Sequence, residues 1–201
     1  MGIIVVKFGD LNPTIIGGQI VKRVIADPIK KDEVVDEGRK TIVAKTVSEG
    51  CVNEEGVVIN NYKTEPDSKR LTREGDIVVK LSSPYNAVII DKDHEGMLVS
   101  SFCSIIRDIE GIDKNYLVAF LNSEVCQKQL ESSVAGTVMS VLSNGKLAEL
   151  EIPLPNEKKQ KEIGDYFEKT IKNRILLAKI QKLEEEKLAS MIANLEDVYD
   201  K

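Results

Sequence analysis

The chain has 201 residues, with 28 Lys and Arg against 33 Asp and Glu and a net charge of −5. A hydrophobic share of 42% and a charged share of 30% fit a globular chain of one domain, or one and a half. The apolar runs, such as 3–6 and 87–90, fall far short of the ~20 residues that cross a bilayer. The start has no basic-then-apolar signal pattern. The three cysteines have no CxxC spacing, which argues against a disulfide framework or a zinc site and for a reducing cytoplasm.

In chain order, residues 3–6 and 14–25 are rich in Ile and Val and read as strands, bent at Gly17-Gly18. The polar stretch 27–40, with Pro28, Lys30, Lys31 and Gly38, reads as a loop. Strands are predicted over 41–47 and 57–62, joined by a turn-rich link at 50–56. Pro66-Asp67-Ser68 marks a turn. Ile77-Val78-Val79 suits a buried strand, 82–86 a polar loop with an aromatic tip, and 87–90 another strand. The charged turn 91–96 precedes a longer strand pattern over 97–107. Asp113 and Ser123 suit N-caps of two helices, 114–121 and 124–132. Residues 135–142 read as loop or strand, and Ser143 suits the cap of a short turn carrying Leu147 and Leu150. The head is therefore α+β, with mixed, mostly antiparallel pairing; strand and helix do not alternate regularly enough for a doubly wound sheet.

Pro153 and Pro155 bracket an extended segment through which no helix can run, because each lacks an amide donor and extends the residue before it. Asn156 then suits the N-cap of a new helix, with Glu157 in its first turn. That helix is expected to run for about 40 residues, roughly 60 Å. The chain thus divides into a head, 1–155, and a helix, 156–201. An apolar stripe runs through Ile163, Phe167, Ile171, Ile175, Ile180, Leu183, Leu188, Met191, Leu195 and Val198, mostly in steps of three or four. This is an amphipathic helix with a broken heptad, which needs a partner helix from its own copy or another subunit. The competing arrangement, a helix folded back on its head, is opposed by its length.

Catalytic chemistry is sparse. His94, flanked by Asp93 and Glu95, reads as a solvated turn residue. Asp91, Asp93 and Glu95 lack the remaining positions of a calcium loop, and no glycine cluster forms a phosphate cradle or a nucleophile elbow. The chain reads as non-catalytic, with no cofactor and no metal of its own. Cys103 and Cys126 read as buried thiols.

Four segments in order carry a resemblance: Leu71-Thr72-Arg73-Glu74-Gly75-Asp76-Ile77-Val78; Tyr116-Leu117 with Phe120-Leu121-Asn122-Ser123; Gly136-Thr137; and Ile152-Pro153-Leu154-Pro155 with Gln160 and Ile163. Together they resemble half of a specificity subunit of a type I restriction-modification system, one target-recognition domain followed by one spacer helix. The resemblance implies a head that reads one half-site of double-stranded DNA. It also implies a helix that sets the distance to a second head, carried either by a second copy, as a homodimer, or by another specificity chain. DNA methyltransferase (modification) subunits, with a restriction subunit, would carry the chemistry and bind S-adenosylmethionine.

Under that implication the DNA-reading side chains lie in loops: Lys22 and Arg23; Lys80, Ser82, Ser83, Tyr85 and Asn86; and Thr137, Ser140, Asn144 and Lys146 around Gly136. Long cations and amides suit base edges, while hydroxyls and Lys suit phosphates. Charge argues the other way, since residues 1–155 hold 18 basic and 23 acidic side chains and the helix ten of each. DNA binding needs cations clustered on one face, or a basic partner. The alternative is an interaction scaffold that regulates assembly without reading DNA.

Overall fold

The structure is a computed structural model that describes residues 3–27, 29, 33–136 and 141–199, with side chains of the last helix described to residue 193. The strands are β1 (Ile4–Lys7), β2 (Thr14–Gly17), β3 (Asp36–Ile42), β4 (Val58–Tyr62), β5 (Ile77–Lys80), β6 (Ala87–Ile89), β7 (Leu98–Val99), β8 (Cys103–Arg107) and β9 (Glu151–Leu154). The helices are α1 (Lys114–Leu121), α2 (Glu124–Val134), α3 (Asn144–Ala148) and α4 (Glu157–Tyr199). The strands form three sheets, ordered β2-β8-β5-β6, β4-β3-β7 and β1-β9. Every strand pair is antiparallel except β3 with β7.

The Ile77-Val78-Val79 run is apolar throughout because β5 is buried on both faces. Ile77 and Val79 face a cluster with Phe8, Leu117, Leu121, Leu130, Leu147 and Ile152. Val78 faces the other way, to Ile42, Val88, Val99 and Ile105. The predicted caps form: Asp113, Ser123 and Ser143 accept the amides of Tyr116, Cys126 and Lys146. Asn156 Oδ1 accepts the amide of Lys159, and α4 runs for 43 residues, roughly 65 Å.

Several boundaries differ from the sequence expectation. The strand expected over 14–25 ends at Gly17, and a 3-10 turn over Val21–Arg23 comes after it. The expected 41–47 strand begins earlier and ends earlier, because pairing with β4 extends 36–40 despite its charged residues. Both faces of that stretch meet solvent, so it has no apolar alternation to signal it. The 97–107 strand breaks at Ser100–Phe102, where Cys103 N–H donates to Ser100 O at 2.9 Å. The Pro-rich segment is a true strand, with Ile152 buried and Val6 opposite it.

Candidate nucleic-acid interface

Two segments expected to carry recognition chemistry, 80–86 and 141–146, meet in space. Leu142 N–H donates to Leu81 O at 2.8 Å, and Leu81 N–H donates to Phe102 O at 2.9 Å. Ser101 N–H reaches Gln19 O at 2.8 Å, which brings the end of β2 to the same place. Ser104 Oγ donates to Asn144 Oδ1 at 2.6 Å. One end of the four-stranded sheet thus gathers loops distant in sequence.

The candidate side chains differ in availability. Lys22 and Arg23 are exposed on their 3-10 turn. Lys80 is half-buried, and that burial holds its ammonium below the ordinary lysine value despite the nearby Cys103 thiol. Ser82, Asn86 and Asn144 are half-buried, and Ser83 is exposed with its hydroxyl 3.5 Å from Glu131. Lys146 is drawn to the end of α2, where its amine donates to Ser133 O. Thr137 and Ser140 lie outside the described residues.

Tyr85 is a correction. Its ring is 1% exposed and belongs to the main core, and its backbone is bracketed by Gln127, which accepts from Tyr85 N–H and donates to Tyr85 O. A ring adjoining serines and an asparagine reads as a loop tip, but the loop folds over α2 and carries the ring inward. Phe102 is the converse. The sequence places it inside a strand, whereas it sits on the turn between β7 and β8 and is 61% exposed. The available signal was the serine pair Ser100-Ser101 interrupting the apolar run.

His94 is a second correction, being buried rather than solvated. Its Nδ1 lies 2.5 Å from Asp91 and its Nε2 2.5 Å from Glu54. Burial alone lowers its pKa, but hydrogen bonds and charge from the two carboxylates outweigh it and the net shift is upward. The histidine is a clamp between two 3-10 turns. Burial pushes both the Cys103 and Cys126 thiols up to about 12, which leaves them unreactive.

The α4 stripe divides into two faces. At about 100° per residue, Gln160, Gly164, Phe167 and Ile171 share one narrow sector, and this sector packs on the head beside α1. Ile171 is 7% exposed and Phe167 packs against the main core, so these two stripe residues are occupied within the chain. Gln160 accepts Asp113 N–H and donates to Pro155 O. A Cβ at Gly164 would lie 2.5 Å from Asp113 Oδ1, which itself caps α1, so the two helices approach this closely only with glycine here. Arg174 donates to Glu49 at 2.9 Å, and all of 172–193 is exposed.

The second sector, about a third of a turn away, holds Tyr166, Leu177, Ile180, Leu188 and Met191, all at least half exposed. Ile163, half-buried, lies at its edge, Leu183 flanks it, and Ile175 lines a cavity of about 420 Å³ beside the head. Tyr166 and Leu177 belong to this face although the stripe omitted them. Of Leu195 and Val198 only the helical backbone is described.

A model of the type I restriction modification DNA specificity domain matches residues 28–185. The chain belongs to that family. This specificity domain is 30% identical over 129 residues to the type I restriction enzyme MjaVIII specificity subunit of Methanocaldococcus jannaschii, covering 61% of the chain and 30% of that protein. It is similar in fold to the HsdS subunit from Thermoanaerobacter tengcongensis, at 16% identity and TM-score 0.57, over 88% of the chain and 44% of that subunit. A chain from a structure of the type I R-M system, solved for its complex assembly and conformational transition, matches at 15% identity and TM-score 0.58. That match covers 94% of the chain and 43% of the other. The type IIG restriction endonuclease BpuSI matches at 10% identity and TM-score 0.57, over 82% and 26%. The chain spans less than half the length of each.

Residues that carried the family resemblance are largely structural in this specificity domain. Asp76 takes a bidentate pair from buried Arg107, at 2.8 and 2.6 Å. Asn122 pairs with both backbone groups of Ala87, which docks α1 on β6. Tyr116 Oη donates to Pro153 O at 2.5 Å.

Proposed function

We propose that this chain is a DNA-sequence specificity half-subunit of a type I restriction-modification system. Its head, 1–155, reads one half-site of double-stranded DNA, and its helix, 156–201, sets the spacing to a second head. The observation that carries the reading is the pairing of a family-specific head with a 43-residue helix, one of whose apolar faces the head leaves bare. A bare amphipathic face calls for a partner helix, and a second copy supplies one by two-fold symmetry, giving a symmetric split target.

The chain is non-catalytic in this reading. Methyl transfer from S-adenosylmethionine belongs to DNA methyltransferase subunits that dock on it, and cleavage belongs to a restriction subunit. The Cys103 and Cys126 thiols are buried and His94 is held between Asp91 and Glu54, and this reading assigns none of them a part in the chemistry. Assembly on the genome places the chain in the cytoplasm. Among the described residues no helix is long and apolar enough to cross a membrane.

The test is a methylation map of genomic DNA from cells carrying the cognate methyltransferase with and without this chain. Loss of methyl marks from one short split motif on removing the chain is the expected result. Unchanged motifs would refute DNA specification and favour a scaffold that only regulates assembly.

A further inference from the structure

The bare face of α4 has a symmetry of its own. Tyr166, Asn173, Leu177, Ile180, Glu184 and Met191 lie within about 60° of one another around the helix, and all of them are exposed. Asn173 stands four residues before Leu177, and Glu184 four after Ile180. Tyr166 stands seven before Asn173, and Met191 seven after Glu184. The seam has the same spacing read from either end, as an antiparallel pair of identical helices about a two-fold axis requires.

Its two polar members are unpaired within the chain. Elsewhere on α4 Lys161 pairs with Asp165, Lys172 with Glu168 and Gln181 with Glu185. The Asn173 and Glu184 side chains have no such partner among the described residues. One antiparallel alignment brings them to each other. When Leu177 faces the partner's Ile180, Asn173 faces the partner's Glu184 and Tyr166 faces the partner's Met191. Slipped one heptad in either direction, Glu184 faces Tyr166 or Ile180 and Asn173 faces Leu177 or Met191. A parallel pair instead sets Glu184 against its own copy. Each alternative covers a carboxylate with an apolar side chain or a like charge, which is costly.

The head supplies a second match. A groove of about 470 Å³ between α1 and α4 is lined by Ala119, Glu162, Ile163, Tyr166, Phe167 and Thr170. The same alignment brings the partner's Met191 onto Tyr166 and the partner's Leu188 beside Phe167, so two exposed apolar side chains fill that groove.

We propose that Asn173 and Glu184 set the register between the α4 helices of two copies, the Asn173 amide of one donating to the Glu184 carboxylate of the other in two symmetric layers. The inference rests on the second copy in the function proposed above and goes beyond it by fixing which residue meets which. A polar residue within the seam of paired helices specifies register in this way. A slip of one heptad would carry the second head ~10 Å along the helix, about three base pairs of duplex. The pair thereby fixes the spacing between the two half-sites.

The experiment uses the full chain. Tyr166→Cys and Met191→Cys chains are oxidised separately and after mixing, with wild type as the blank for Cys51, Cys103 and Cys126. The mixture should give a disulfide-linked dimer. Neither variant alone should exceed the blank, because antiparallel pairing holds each new sulfur far from its own copy. In sedimentation equilibrium Asn173→Glu should weaken the dimer at least about a hundredfold, since two symmetric like-charge contacts cost about tenfold or more each. Adding Glu184→Lys to the same chain turns both contacts into ion pairs and should restore the constant to within about tenfold of wild type.

Cross-linking within either single variant overturns the register and leaves the helix-paired second copy standing. So does a dimer that Asn173→Glu leaves intact, or that Glu184→Lys fails to rescue. A wild-type chain monomeric at every concentration overturns the register and the second copy together, while half-site reading stands or falls with the methylation map.

Discussion

Replacing Ile180 with Asp should dissociate the helix-paired dimer while leaving the head folded. Ile180 is 52% exposed in the single chain and sits on the face that the head does not use. Fully burying an Ile side chain contributes ~1.5–3 kcal/mol, so covering the exposed half of this one contributes about 1 kcal/mol per copy. A carboxylate in its place adds a desolvation cost of at least ~1 kcal/mol per copy. Two-fold symmetry doubles both, for a loss of at least ~4 kcal/mol, or about a thousandfold in dissociation constant. Sedimentation equilibrium of wild type and Ile180→Asp over a concentration series measures it. Ile171→Asp is the paired control. Ile171 is 7% exposed against the head, so that change should lower the melting temperature of the chain's own head–helix junction. A dimer constant unchanged by Ile180→Asp, or a wild-type chain that stays monomeric throughout, would refute the two-face division of α4.

The His94 clamp makes stability depend on pH in a definite direction. Its native pKa is raised, so the contribution is fully present below the unfolded value near ~6.5 and is lost as pH rises through the native one. Thermal melting from mildly acidic to alkaline pH should show that decline, and His94→Gln should remove it. Arg107→Ala should cost ~3–5 kcal/mol in denaturant unfolding, because it strands the Asp76 carboxylate, 3% exposed, without its ion pair. Tyr85→Ala should cost a similar ~3–5 kcal/mol through the cavity it leaves, whereas Tyr85→Phe should melt like wild type; equal stability of Tyr85→Ala and wild type would contradict the core placement.

Local chemistry made much of this protein legible in one dimension. Asp113, Ser123, Ser143 and Asn156 cap helices through their own side chains within three residues, so each helix start could be read from composition alone. Pro153 and Pro155 restrict the backbone by covalent geometry, and they dictated the change from extended segment to long helix. The buried Ile77-Val78-Val79 strand announced itself by unbroken apolarity, because it has a core on each face.

What the tertiary structure decided depends on contacts between residues far apart in sequence. Asp36 to Lys40 form a strand only because β4 lies alongside, and Ser100–Phe102 leave the strand only because Gln19 and Leu81 hold that turn. Tyr85 and Phe102 exchange their expected roles for the same reason: a ring on a polar loop goes inward when a helix lies beneath it, and a ring within a strand pattern goes outward where a turn interrupts that strand. The stripe of α4 has one period in sequence yet two faces in space, since the head takes Phe167 and Ile171 and leaves Ile180, Leu188 and Met191 uncovered. Helical periodicity says which residues share a side of a helix; only the packed neighbour determines which side is already covered.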